Sequence, residues 1–250
     1  MDQTDNPLLV EDGPKRVRTY FGGRLIADTI RPKLVWEGRP YPAYYFRRAD
    51  VNMQLLSPSG RGGRSEAMGQ ATLFDVTGGG RTAEAVAWSF PDSPVAEMQD
   101  LIRFDWGAMD AWFEEDEQVY VHPRSPYVRV DVLASSRYVE VVLGGVKVAA
   151  SHQPRLLFET GLPTRYYLPR LDLHMDLLLP STTITRCPYK GTAEYWSVST
   201  GVAVFEDVVW TYPTPALESA KIAGLACFLN EKVDLYVDGV LQERPDSPFA

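Results

Sequence analysis

Two cysteines, Cys187 and Cys227, and three histidines, His122, His152 and His174, are all that 250 residues provide for thiol and imidazole chemistry. No C-x-x-C pair occurs, so the sequence carries no zinc signature, and neither a metal nor a cofactor is expected. A disulfide between two lone cysteines is not expected in a reducing compartment. Positive charge is also scarce: 25 Lys and Arg against 33 Asp and Glu leave a net charge of −8. That balance excludes the non-specific nucleic-acid binders, which need cations facing phosphates. No apolar run is long enough for a helix to span a bilayer, so no membrane partner is expected. The opening Met1-Asp2-Gln3-Thr4-Asp5 lacks the apolar stretch of a signal peptide, which leads us to expect a cytoplasmic protein.

What is present is a repeat. Sliding the chain by 122 residues lays Tyr20-Phe21-Gly22-Gly23 on Val142-Leu143-Gly144-Gly145. Without a gap, Glu37 then meets Glu159, Tyr44-Tyr45 meets Tyr166-Tyr167, Arg48 meets Arg170 and Asp50 meets Asp172. Trp88 and Pro91 meet Trp210 and Pro213. Toward the end of each copy an offset of 116 matches Trp112-Phe113 to Phe228-Leu229, which implies six extra residues near Arg103 to Met109 in copy one. The copies are placed at 16–123 and 137–239, joined by 124–136, with 1–15 and 240–250 as tails. A duplicated chain of this kind is expected to be a monomer with a pseudo-two-fold repeat.

Each copy opens with a hairpin, because Gly22-Gly23 and Gly144-Gly145 supply positive φ between β-branched and aromatic runs. Short strand-like runs follow, broken by Pro and Gly. Ser57–Ser65 reads as a flexible loop whose Arg61 and Arg64 can capture an anion. One helix per copy is expected: Thr214 caps it, Pro215 begins it, and Ile222, Leu225, Ala226 and Leu229 form its apolar stripe. Ser93-Pro94 takes the same role in copy one. The fold class is mainly β, two tandem domains related by internal duplication.

Several motifs carry a family resemblance. Cys187-Pro188-Tyr189-Lys190-Gly191, the run 166–172, Trp210-Thr211-Tyr212-Pro213 and 233–239 resemble an uncharacterised bacterial and fungal family, the domain of unknown function numbered 427. The resemblance covers nearly the whole of each repeat and implies a β-tent-like fold, similar to the methionine sulfoxide reductase B proteins and the thalidomide-binding domain of cereblon. The paired C-x-x-C zinc ligands of many β-tent proteins have no counterpart in this sequence. A nucleotidyltransferase label sometimes attached to the family finds little support, because closely set carboxylates for magnesium and a phosphate-cradling Gly loop are both missing.

The candidate catalytic residues are Cys187 and Lys190, since a neighbouring ammonium favours the nucleophilic thiolate. Copy one has Ser65 and Met68 there, so such chemistry belongs to copy two. The candidate ligand-binding residues are Glu159, Arg165, Tyr167, Arg170, Asp172, Trp196 and Trp210. The arginines suit an anion, the carboxylates a general base, and the aromatics a ring-binding wall. Against these stand plainer roles: a register-fixing ion pair for the charges, core packing for the rings, a buried thiol for Cys187. The favoured expectation is a small-molecule binding module with its site in copy two. A thiol-dependent enzyme using Cys187, and an interaction protein with no small-molecule site, are the alternatives.

Overall fold

A computed structural model of the chain describes residues 8–247 and divides into two units, Met1–Ser125 and Pro126–Ala250. The first unit holds β1 (Leu9–Asp12), β2 (Val17–Phe21), β3 (Arg24–Thr29), β4 (Lys33–Trp36), β5 (Ala43–Arg47) and β6 (Leu56–Ser65). It continues with β7 (Gly69–Gly78), β8 (Arg81–Ser89), β9 (Leu101–Phe104), β10 (Ala111–Glu114) and β11 (Glu117–Val119). The second holds β12 (Val130–Ala134), β13 (Val139–Leu143), β14 (Val146–Ser151), β15 (Arg155–Glu159), β16 (Arg165–Pro169) and β17 (Leu178–Cys187). After these come β18 (Gly191–Ser199), β19 (Val204–Thr211), β20 (Leu225–Phe228), β21 (Asp234–Val237) and β22 (Val240–Leu241). A seven-stranded sheet in the order β1-β4-β5-β9-β8-β7-β6 and a four-stranded sheet β11-β10-β2-β3 build the first unit. The second repeats both, as β12-β15-β16-β20-β19-β18-β17 and β14-β13-β21-β22. The chain is mainly β and internally duplicated.

The central strands of each seven-stranded sheet are buried on both faces. Side chains alternate faces along a strand, so such a strand needs apolar residues at successive positions. Leu34-Val35-Trp36 and Tyr44-Tyr45-Phe46 are runs of this kind. Their outer members pack with Val17, Ile26 and Trp112 of the four-stranded sheet, while Val35 and Tyr45 pack on the opposite face with Met68, Phe90 and Leu101. In the second unit Leu168 faces the four-stranded sheet, and Tyr167 faces the other way with Leu157, Trp210 and Cys227. The opening hairpins turn on Gly22-Gly23 and Gly144-Gly145, all at positive φ. At Gly22 an added Cβ would lie 2.1 Å from the Gly78 carbonyl oxygen, so this turn is closed to any other residue.

Strand register corrects the repeat. Arg103 pairs with both Tyr45 and Trp88, and Cys227 pairs with both Tyr167 and Trp210. Arg103 and Cys227 are therefore counterparts, at an offset of 124. Trp112 lies opposite Thr19 as Leu235 lies opposite Val141, which sets the offset there at 123. The six-residue insertion expected in copy one does not exist. The offset of 116 had matched β10 to β20, which belong to different sheets.

The helix expected in each copy does not form. Leu217–Ile222 is a 3-10 turn, and the rest of the supposed stripe is β20. Gly224 at φ 70° separates the two. Beyond it the backbone hydrogen-bonds between β16 and β19. The first unit does the same with a 3-10 turn at Ala96–Met98 followed by β9. A short apolar run fits a buried strand as well as a helix stripe, and here the tertiary pairing decides. Ser57–Ser65, expected as a loop, lies within β6. Leu9–Asp12, placed in a tail, is the edge strand β1, and its counterpart β12 lies in the segment expected to be a linker. Residues 1–7 and 248–250, also placed in the tails, lie outside the described residues.

Candidate functional site

On the face of the first unit's large sheet that turns away from the small one, a charged cluster sits among apolar side chains. Glu37 follows β4 directly, Tyr45 comes from β5, Trp88 from β8 and Arg103 from β9. Adjacent strands bring the four together. Arg103 Nη1 lies 2.5 Å from Glu37 Oε2, and the Tyr45 hydroxyl donates to Glu37 Oε1 at 2.7 Å. The Arg103 guanidinium sits 5.0 Å from the centre of the Trp88 ring. Burial, reinforced by the Glu37 charge, pushes the Tyr45 pKa far above the usual phenol value, so the hydroxyl stays a donor. A cleft of about 460 Å³ opens over the cluster, its charged lining being Glu37 and Arg103 with Arg39, Arg64 and Asp105. Arg39 and Arg64 are both exposed, and neither makes an ion pair among the described residues.

The second unit builds the same spot with different chemistry. Lys190, on the turn between β17 and β18, pairs with Glu159. Trp210 Nε1 donates to the Tyr167 hydroxyl at 3.1 Å. Cys187 closes β17 opposite Gly191 and packs, half-buried, against the cluster containing Tyr167, Trp210 and Cys227. Arg165 lies 5.5 Å from the Trp210 ring centre and makes two hydrogen bonds to Glu231, at 2.7 and 2.8 Å. Six of the sequence candidates, Cys187, Lys190, Glu159, Arg165, Tyr167 and Trp210, therefore gather on one face of one sheet.

The other three lie elsewhere. Arg170 and Asp172 occupy a 3-10 turn, and Trp196 packs against the core between the two sheets. Arg170 stacks on Trp196 at 5.1 Å, and Asp172 accepts a hydrogen bond from Ser151 at 2.6 Å. The first unit repeats both contacts: Arg48 lies over Phe74 at 5.9 Å, and Thr29 donates to Asp50 at 2.7 Å. These pairs fasten the turn to the sheet in each copy.

Sequence reasoning found half of an exchange: it matched Met68 to Lys190 but missed that Arg103 corresponds to Cys227. A buried carboxylate at Glu37 or Glu159 needs a cation, and each unit supplies it from a different element. The signal was legible: one copy loses a positive charge where it gains another. The wrong offset hid it by setting Arg103 beside no counterpart.

Among the described residues no group of three His, Cys, Asp or Glu is placed to hold a metal, and no helix is long and apolar enough to cross a membrane. A family described as a domain of unknown function (DUF427) matches the sequence twice, over residues 9–115 and 131–239. The matched segments begin 122 residues apart, at β1 and within β12. No curated protein matches the chain.

Proposed function

The chain belongs to the DUF427 family, in tandem form, and we propose that it is a small-molecule binding module whose ligand is a small organic anion held in the first unit. The observation that carries this reading is the cleft over Glu37 and Arg103, with two guanidiniums, Arg39 and Arg64, free of ion-pair partners among the described residues. Guanidinium forks match carboxylate and phosphate geometry, and two of them at one opening favour an anion. The second unit has Gly161 where the first has Arg39, so the expected site in copy two has one fewer cation to offer.

Thermal unfolding with a panel of carboxylates, phosphate and pyrophosphate tests this. A ligand that binds only the folded state stabilises it by about 2.7 kcal/mol at a hundredfold excess over its dissociation constant. At least one anion is expected to raise the unfolding temperature of the wild type and not of Arg39→Ala/Arg64→Ala. Arg61→Ala, which removes an exposed pair with Glu84, is expected to respond like the wild type. A panel without effect, or a double variant that responds equally, removes the proposal.

The thiol reading rests on one difference. Cys187 is half-buried, whereas Cys227 is fully buried and its pKa is pushed up to about 12 by that burial. Native protein is expected to take one alkyl group, at Cys187, and a second only on unfolding. Because the Lys190 ammonium is engaged by Glu159, Lys190→Met is expected to change the Cys187 rate little. A large slowing would bring back the activated thiol.

A further inference from the structure

Beyond the Glu37–Arg103 pair, the first unit contains a second cavity of about 270 Å³. Two stacked ring pairs line it. Tyr41 lies on His122 with ring centres 3.6 Å apart, and Trp106 lies on Trp112 at 4.5 Å and nearly parallel. Trp112 is fixed by donating its Nε1–H to the Trp106 carbonyl at 3.1 Å. Tyr44 is held by its hydrogen bond to Glu114. His122 Nδ1 is 2.9 Å from the Pro123 carbonyl oxygen, which can only accept. The imidazole therefore carries its proton on Nδ1 and keeps Nε2 as an acceptor. Burial lowers the His122 pKa and so favours this neutral form.

The repeat supplies its own control. At the counterparts of Tyr41, Trp106 and Trp112 the second unit has Pro163, Asn230 and Leu235. Ala43, which lines the cavity, becomes Arg165, and Gly107 becomes Glu231. In the second unit the ion pair of those two residues is buried, and Asn230 donates to the Thr164 carbonyl at 2.8 Å beside it. The same fold thus forms without these three aromatic residues, and with the arginine of a salt bridge at the position where Ala43 lines the cavity in the first unit. Tyr41, Trp106 and Trp112 are therefore not a requirement of the shared architecture.

We propose that this cavity is a binding site for an uncharged, planar heteroaromatic molecule of one or two fused rings bearing an N–H donor. Ring faces are matched by Tyr41, His122, Trp106 and Trp112. The N–H is matched by His122 Nε2. A cation is disfavoured by Arg39 and Arg103, which line the cavity, and an anion by Glu37 beside them. The volume lies just below the usual range for drug-sized ligands, which begins at about 300 Å³, and suits one or two rings. This site is separate from the anion cleft proposed above, although Glu37, Arg39 and Arg103 border both.

Isothermal titration calorimetry of the full chain with indole tests it. One site per chain is expected. His122→Ala removes a stacking face and the acceptor, and is expected to weaken indole by about tenfold. N-methylindole, which keeps the ring and loses the donor, is expected to bind the wild type several-fold more weakly than indole. Ala43→Arg/Gly107→Glu transplants the second unit's ion pair into the cavity and is expected to abolish binding, its melting curve showing that it is folded. If that variant fails to fold, His122→Ala and N-methylindole decide. Arg64→Ala is expected to bind indole like the wild type, so failure here and failure of the anion cleft are read apart. The proposal is overturned if the wild type gives no binding heat with indole, if His122→Ala binds it equally, or if tetramethylammonium is preferred.

Discussion

Arg103→Cys, which gives the first unit the residue its counterpart holds, is expected to destabilise that unit by about 2–4 kcal/mol. The loss comes from what remains. Glu37 is 16% exposed and would keep only the Tyr45 hydroxyl as a partner. Breaking a fully buried pair costs about 3–5 kcal/mol, and the partial exposure of both side chains here lowers that figure. Adding Met68→Lys is expected to return most of it. The Met68 sulfur already lies 3.7 Å from the Tyr45 hydroxyl, so a lysine there starts beside the group that holds Glu37, as Lys190 does beside Glu159. Hydrogen exchange of the β5 and β9 amides reads the effect in the first unit alone, which matters because a two-unit chain need not unfold in one step. A single variant within about 0.5 kcal/mol of the wild type would show that the pair contributes little, as exposed pairs do.

The duplication, the mainly β class and the Gly-Gly hairpins were legible in the sequence for a physical reason. A hairpin turn that demands positive φ favours glycine, and at Gly22 a close backbone approach also closes the site to any side chain, so Gly22 and Gly144 mark the same place in both copies. The helix was misread because Ile222, Leu225, Ala226 and Leu229 satisfy a helical stripe, while Leu225–Phe228 finds its hydrogen bonds between two neighbouring strands. Periodicity records which residues are apolar. It does not record whether the backbone bonds to itself or across a sheet.

The candidate site was half legible. Shared charged residues stood out, but sharing did not separate Glu159, which lies at the site, from Arg170 and Asp172, which fasten a turn on the other face. Period-two alternation assigns faces only when strand ends are known, and these were not. The unshared residues were more informative. Arg103 against Cys227, Met68 against Lys190, and Trp106 against Asn230 are changes within a common frame, and each lies beside Glu37, Glu159 or the aromatic cavity. Finding them required the register, which the sequence left ambiguous after Pro91 because the two copies differ in length between β8 and β9 and between β19 and β20.

The second unit's larger liability is Arg165. Arg165→Met is expected to cost about 3–5 kcal/mol at neutral pH, because it leaves Glu231 as a buried carboxylate without its guanidinium. In the wild type, burial raises the Glu231 pKa, but hydrogen bonds from Arg165 and Ser247 outweigh it and hold the group below the ordinary glutamate value. A depressed carboxylate contributes stability above its unfolded pKa and loses that contribution as pH falls through the folded value. In the variant the balance reverses, and Glu231 escapes by taking up a proton. Doing so costs about 1.4 kcal/mol for each pH unit above an unfolded value near 4.3, or roughly 4 kcal/mol at neutrality. The gap between wild type and variant is therefore expected to close as pH falls toward about 4.3, by about 1.4 kcal/mol per unit. Arg165→Met/Glu231→Gln has no carboxylate at this position to protonate and is expected to lack that trend. Urea unfolding followed through the second unit's amides at stepped pH measures all three proteins. A gap that does not change with pH would mean that the loss comes from packing on Trp210, with the charge pair contributing nothing.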